Sequence, residues 1–407
     1  MSNKLKYSAI ATVPKIDLPS SKSISNRLLI AQALSGNTIV LENLSEAEDT
    51  VLLQKALASN EETVNVGMAG TAFRFLTAYY SISKVTRILT GSERMLKRPI
   101  GVLVEKLKKL GADITYLKND GFPPLKIVGK RLKGGPLSID ASVSSQYISA
   151  LLLIAPHLEN GLQLRLKGEV VSFPYIDLTI DLQQQIGIDI NRDGSLISVK
   201  NGAHTSNLQM VVEADWSSAA FFYQIVALSG KSLFINNLSP TSRQGDMNCF
   251  KIFEELGVKT EFLKEGALLT QHAHQIQSIL KLDMTEMPDL IPPVAVVASQ
   301  LCSKISISGT KTLYIKECNR VAALKTELAK LGVELNEVDG NCFEIQRSDK
   351  TMENEKGLSF LSYDDHRMAM SLAPLAIRYK IEIDSLDVVV KSFPTYWIEM
   401  KKVGIFT

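Results

Sequence analysis

The chain has 407 residues, enough for two domains with separate cores, and its 45% hydrophobic and 22% charged content is that of a globular protein. A net charge of +2 excludes wholesale attraction to nucleic acid or to an anionic membrane, so basic residues must be weighed by where they cluster. No apolar run reaches the roughly 18 residues of a membrane span, and residues 1–10 lack the apolar core of a signal peptide, so the expected location is cytoplasmic.

In chain order, the first predicted element is an apolar helix behind the polar tip Ser20-Ser21-Lys22-Ser23. The same arrangement returns at Gly70-Thr71-Ala72, Ser144-Ser145-Gln146, Trp216-Ser217-Ser218, Pro288-Asp289 and Asp364-Asp365-His366-Arg367. Measured between Lys22, Gly70, Ser144, Ser217, Asp289 and Asp365, the gaps are 48, 74, 73, 72 and 76 residues, which predicts a repeated supersecondary unit. After the first tip comes a second helix over 48–57, and only 61–66 remains before the next tip. A strand pair is therefore missing or reduced in the first unit. The clearest unit follows the third tip: a helix over 144–153, a strand over 162–166 and a helix over 176–186 that Gly187 ends. Short strands over 188–190 and 196–199 then flank a turn at Asn191-Arg192-Asp193-Gly194. The pattern is β-α-β-α-β-β. Six such units predict an α/β protein of two similar domains with three units each, the first unit of the second domain shortened.

The tips bear on function because a helix start leaves backbone N–H groups unpaired and carries partial positive charge, a seat for phosphate or carboxylate. Lys22, Arg27, His366 and Arg367 add cations there, which is unfavourable unless something anionic offsets them. Each tip also has a plainer reading. Ser20, Ser21 and Ser23 could simply cap a helix, Glu317 and Arg320 could be a surface i,i+3 pair, Asp364 and Asp365 a cap, and Gly70 a tight turn. Independent capping does not predict their recurrence at corresponding points of successive repeats. Cys249, Cys302, Cys318 and Cys342 form no CxxC pair and read as reduced structural thiols. His272 and His274 would share one strand face but have no third ligand nearby, so no metal site is expected.

The string from Leu18-Pro19-Ser20-Ser21-Lys22-Ser23 to Asn26-Arg27 resembles the opening motif of the 5-enolpyruvylshikimate-3-phosphate synthase family of enolpyruvyl transferases. The resemblance continues at Ala69-Gly70-Thr71-Ala72 with Arg74, Leu89-Thr90-Gly91 with Arg94 and Arg98-Pro99, Ser144-Ser145-Gln146, and Ser172 with Pro174-Tyr175. It runs on through Gln244-Gly245-Asp246, Pro288-Asp289, Lys316-Glu317 with Arg320, Asp365-His366-Arg367-Met368-Ala369-Met370, and Lys391 with Phe393-Pro394. It spans nearly the whole chain in one order.

The resemblance implies the enolpyruvyl transferase fold, an inside-out α/β barrel. One domain would consist of 1–18 plus 216–407, the second of the inserted 19–215, with the active site in the cleft between them. It implies transfer of the enolpyruvyl group of phosphoenolpyruvate to the 5-hydroxyl of shikimate 3-phosphate, releasing phosphate, on the shikimate route to chorismate and aromatic amino acids. No cofactor, no metal, no nucleic acid or membrane partner, and a monomer are expected. By resemblance, Lys22, Gly70, Arg94, Gln146, Arg320, Arg367 and Lys391 would hold phosphoenolpyruvate. Ser23, Arg27, Ser144, Ser145, Gln146, Ser172, Tyr175, Asp289 and Lys316 would hold shikimate 3-phosphate. Glu317 would deliver the proton, with Asp289 or Lys22 managing the hydroxyl. Glyphosate would occupy the phosphoenolpyruvate pocket.

The chain departs from the family pattern at Met68, in place of a frequent Asn, Phe75, in place of a frequent Pro, Thr312, where Asn is usual, and Ser20, where Gly is usual. Two rival readings are a UDP-N-acetylglucosamine enolpyruvyl transferase and a catalytically degenerate anion-binding relative. The first would carry a reactive Cys in a mobile loop, yet no Cys precedes Cys249. Retention of Lys22, Asp289, Glu317 and Lys391 speaks against the second.

Overall fold

The computed structural model describes residues 3–205, 207–272, 276–347 and 357–407. The chain forms two compact units, an inserted unit Ser20–Val212 and a terminal unit made of Met1–Pro19 and Glu213–Thr407.

The inserted unit holds helices α1 (Lys22–Leu34), α2 (Glu48–Ala58), α3 (Gly70–Ile82), α4 (Gly101–Lys109), α5 (Ser145–Ile154) and α6 (Phe173–Gln185). Each of its four-stranded sheets is a parallel pair extended by an antiparallel hairpin. Thr63–Asn65 runs parallel to Thr86–Thr90, which pairs antiparallel with Leu125–Val128 and through it with Asp113–Tyr116. Gly135–Asp140 and Leu162–Lys167 repeat the parallel step, and Leu196–Val199 and Ile190–Asp193 the hairpin. Among the described residues the third sheet has only the parallel pair, Ile39–Glu42 with Leu208–Val211. Its missing hairpin is the shortening that the 48-residue gap predicts. In Leu162–Lys167 buried and exposed residues alternate strictly, so one sheet face meets the core and the other solvent. Helix α5 is buried almost all round, the mark of a core helix.

Two local expectations shift. The strand expected at 188–190 is Ile190–Asp193, and the turn lies at Gly194-Ser195, because Gly194 at φ +54° supplies the positive torsion a tight hairpin needs. The helix expected over 176–186 starts at Phe173, since Pro174 is preset for a first helical turn.

The terminal unit holds α7 (Trp216–Ser229), α8 (Cys249–Glu255), α9 (Ile291–Leu301), α10 (Arg320–Ala329), α11 (His366–Leu372) and α12 (Tyr396–Lys402). Its sheets follow the same rule. Lys15–Ile16 lies parallel to Leu233–Asn236, which leads to Gly266–Gln271 and Val258–Leu263. Ile279–Asp283 lies parallel to Lys304–Ser308, which leads to Cys342–Arg347 and Val333–Asp339. In the third sheet Leu358–Phe360 and Ile381–Ile383 form the parallel pair, and the chain's own first strand, Lys4–Tyr7, joins with Ile405–Phe406 to complete it. Helix α7 is buried from Trp216 to Leu228 and α9 from Ile291 to Gln300, so these two form the centre of the unit's core. His272 follows the strand Gly266–Gln271 rather than lying in it, and His274 lies outside the described residues.

Candidate active site

Within the inserted unit, the N-terminal ends of α1, α3 and α5 come together. Gln146, in the first turn of α5, donates to Thr71 Oγ1 in the first turn of α3 at 3.1 Å. Arg27, in the second turn of α1, donates to Ser149 Oγ of α5 at 3.1 Å and to Thr179 Oγ1 of α6 at 2.7 Å. Its remaining bonds go to the carbonyls of Ser23 and Tyr175, at 2.8 and 3.0 Å. Arg27 is only 2% exposed, and burial lowers its pKa to about 10. Four of its five N–H groups are thus committed to protein oxygens. The ring of Phe75 lies 5.5 Å from the guanidinium, so this departure from the family pattern packs against a candidate ligand-binding residue.

The anion that offsets the cation at the first tip is part of the protein. Lys22 Nζ lies 3.1 Å from Asp49 Oδ2, and Asp49 sits in the first turn of α2, where a carboxylate is itself favoured. Ser21 caps α1, accepting from the Ile24 amide at 3.4 Å. Ser23 follows inside the helix. Ser144 occupies the N-cap position of α5 without a side-chain capping bond, and Ser145 and Gln146 begin the helix. Ser172, the N-cap of α6, holds the left-handed torsion φ +57°, a strained backbone of the kind that collects at functional sites. Tyr175 follows in the first turn of α6. Arg94 stands at the N-cap position of the short 3-10 turn Met95–Lys97, and Met68 is half-buried just before α3.

Gly70 opens α3, and a Cβ there would come within 2.6 Å of Arg98 Nη1 and 3.1 Å of Arg74 Nη1. Its absent side chain makes room for two guanidinium groups, of which Arg74 also bonds the Gly70 carbonyl at 2.9 Å. A tight turn alone does not describe this position.

The terminal unit assembles a second cluster. Asp289 Oδ1 lies 3.1 Å from both Lys316 Nζ and Arg320 Nη1, and its Oδ2 lies 3.1 Å from Arg367 Nη2. Burial alone would raise the carboxyl's pKa, but Arg367, Lys316 and Arg320 hold it well below the usual range. Glu317 Oε2 accepts from Arg320 Nη2 at 3.0 Å. Arg320 is almost fully buried and reaches Asp365 through Nε at 2.8 Å and Nη2 at 3.2 Å. Asp365 caps α11 by accepting from the Arg367 amide at 2.9 Å. Lys391 Nζ donates to the Asp364 carbonyl at 2.6 Å. The i,i+3 pair of Glu317 and Arg320 is therefore part of a buried network, not a surface pair.

Several members of these clusters carry no role in the sequence reading. Asp49 is a charge partner brought in by tertiary packing, and Asp365, which the sequence offers as a helix cap, is also the buried charge partner of Arg320. Asp246 is buried and accepts a hydrogen bond from Ser217 on the tip of α7. Burial, with Asp289 and Asp215 nearby, pushes its carboxyl up to about 6 even though Arg367 opposes the shift. Its place in the Gln244-Gly245-Asp246 motif was the available signal. Among the described residues, no group of three or more His, Cys, Asp or Glu side chains is arranged to hold a metal ion.

A family model described as EPSP synthase (3-phosphoshikimate 1-carboxyvinyltransferase) matches residues 52–400 of the chain. A 3-phosphoshikimate 1-carboxyvinyltransferase of Bacteroides fragilis (strain YCH46) is 44% identical over 393 residues, covering 96% of this chain and 95% of that protein. One from Pseudoalteromonas translucida is 35% identical, covering 94% of this chain and 95% of that protein. The solved structure of an EPSP synthase from Acinetobacter baumannii superposes with a TM-score of 0.75 over 99% of both chains at 21% identity, which speaks to the fold alone.

Proposed function

The chain belongs to the EPSP synthase family, and on that premise we propose how its residues transfer the enolpyruvyl group of phosphoenolpyruvate to the 5-hydroxyl of shikimate 3-phosphate. The observation that carries the reading is the cluster of Lys316, Arg320 and Arg367 around the single carboxylate of Asp289, with Glu317 on Arg320. With Lys391 bonded to the Asp364 carbonyl, four cations gather there against the carboxylates of Asp289, Glu317 and Asp365, and Arg forks beside Lys point charges suit a substrate carrying phosphate and carboxylate.

Lys22, Arg94, Arg320, Arg367 and Lys391 take the phosphate and carboxylate of phosphoenolpyruvate, with Gln146 and the Gly70 tip beside them. Ser23, Arg27, Ser144, Ser145, Gln146, Ser172 and Tyr175 hold shikimate 3-phosphate, and Asp289 and Lys316 its ring hydroxyls. Arg27 reaches its ligand through its one remaining N–H, so much of its role is to hold α1, α5 and α6 together.

In the first step the 5-hydroxyl oxygen bonds to C2 of phosphoenolpyruvate while the methylene carbon takes a proton from Glu317. Asp289 or Lys22 manages the hydroxyl proton, which ends on the departing phosphate. The tetrahedral intermediate then loses phosphate by cleavage of its C2–O bond, and a proton leaves the new methyl group to form the enol ether. Glu317 is the base for that proton, by microscopic reversibility. Preplaced Arg and Lys groups stabilise the departing charge. The protein is read as a cytoplasmic monomer. Among the described residues no helix is long and apolar enough to cross a membrane.

Glu317→Gln should keep substrate affinity and lose turnover by roughly 100-fold or more, the scale of general acid catalysis. Near-normal turnover would remove Glu317 from the mechanism.

A further inference from the structure

The loop that leads into α11 holds two successive non-glycine residues in the left-handed region, Tyr363 at φ +57° and Asp364 at φ +54°. A bulky residue in that region persists only where its surroundings over-determine it. Four hydrogen bonds do so. The Tyr363 hydroxyl donates to Glu327 Oε1 at 2.7 Å, and the Leu361 amide donates to Glu327 Oε2 at 3.1 Å. The Ser362 amide donates to Asp384 Oδ1 at 2.7 Å, and Lys391 Nζ donates to the Asp364 carbonyl at 2.6 Å.

Glu327 is fully buried on α10, two turns beyond Arg320. Lys330 Nζ, 2.6 Å from its Oε2, supplies the counter-charge and also reaches the Ser359 carbonyl at 2.8 Å. A buried carboxylate with a cation and two further donors is satisfied, and removing it would leave those donors stranded. Burial and the bond to Glu327 push the Tyr363 hydroxyl up to about 12, so it remains a donor throughout the neutral range.

The turn that Glu327 clamps delivers Asp365 to the start of α11, where its carboxylate grips Arg320 and caps the Arg367 amide. It also aims the Asp364 carbonyl at Lys391. Helix α10 thus sets Arg320 directly at its tip, and through Glu327 sets the loop that places Arg367 and Lys391. We propose that Glu327 is a positioning residue for phosphoenolpyruvate binding, holding Arg320, Arg367 and Lys391 in one register through the strained Tyr363-Asp364 turn. This rests on the assignment of those three cations to phosphoenolpyruvate.

The test is steady-state kinetics of E327Q, Y363F, the double variant E327Q/D364G and, as a check on the underlying assignment, R367K, each with both substrates varied. E327Q should raise KM for phosphoenolpyruvate by about 10-fold or more, with KM for shikimate 3-phosphate changed less than about 2-fold. Y363F, which removes one hydroxyl, should raise it by about 3-fold. Glycine adopts the left-handed region without penalty, so E327Q/D364G should recover most of the lost affinity. A lower melting temperature and lower kcat in E327Q with KM unchanged would make Glu327 merely structural and overturn the proposal. Should E327Q not fold, Y363F decides alone, a rise in KM supporting the clamp and no change overturning it. If R367K leaves KM for phosphoenolpyruvate unchanged, the assignment on which the clamp rests fails, and the proposal with it.

Discussion

At Gly70 the volume a side chain would need is already held by Arg98, whose Nη1 a new Cβ would meet at 2.6 Å. The far end of a flexible side chain can yield, so Gly70→Ala should fold normally. It should do so by displacing a cation beside the α3 tip, and glyphosate inhibition should weaken more than phosphoenolpyruvate binding, because the longer ligand has less room to adjust. An unchanged ratio of the glyphosate inhibition constant to the KM for phosphoenolpyruvate would separate Gly70 from that pocket. Asp246 makes a different prediction. Its folded-state pKa is raised to about 6, so it takes up a proton on folding at acidic pH, and its contribution to stability falls as pH rises from its unfolded value to 6. Above 6 the full cost of a buried, crowded carboxylate is present. Asp246→Asn should therefore raise the melting temperature of the terminal unit by a few degrees at pH 8 and by less at pH 5, since each kcal/mol moves it by about 2–4 °C in a folding unit of that size. Equal shifts at both pH values would mean that the carboxyl is not raised.

The helix tips were legible in the sequence because their signal is local: a Ser, Gly or Asp next to a run of apolar residues marks a start wherever it occurs. Ser21, Asp215 and Asp365 all cap the helices that follow them. Asp215→Ala removes bonds to both the amide and the hydroxyl of Ser218 and should cost about 1 kcal/mol. Chemical denaturation reads this directly as a lower midpoint with an unchanged slope, and an unchanged midpoint would show that the cap contributes nothing. The shortened first unit was legible for the same reason, since a missing hairpin removes residues from a count. What the tips bond to was not legible. Asp49 for Lys22, Thr179 for Arg27 and Glu327 for Tyr363 are partners set by packing, 27, 152 and 36 residues away in the chain. The strand Ile190–Asp193 starts later than its sequence suggests because Asn191, Arg192 and Asp193 are turn-forming residue types, whereas Gly194 sets where the hairpin closes.

On the scale of the whole molecule, the inserted unit leaves and re-enters the terminal unit at neighbouring points, since the Pro19 carbonyl accepts from the Asp215 amide at 2.9 Å. A chain in which a short Gly-Ser linker joins Pro19 to Glu213 should fold cooperatively, because the terminal unit's three sheets all close within it. Thermal unfolding that is broad and non-cooperative would contradict this. Such a chain retains Asp289, Lys316, Glu317, Arg320, Arg367 and Lys391 but lacks Lys22 and every serine assigned to shikimate 3-phosphate, so it should have no turnover. The central claim, that the cation clusters serve enolpyruvyl transfer to shikimate 3-phosphate, is tested most directly by phosphate release from phosphoenolpyruvate. The intact protein would be supplied in parallel with shikimate 3-phosphate or with UDP-N-acetylglucosamine. The account predicts stoichiometric phosphate release with shikimate 3-phosphate alone, lost in Glu317→Gln; release with the nucleotide sugar, or with neither acceptor, would contradict it.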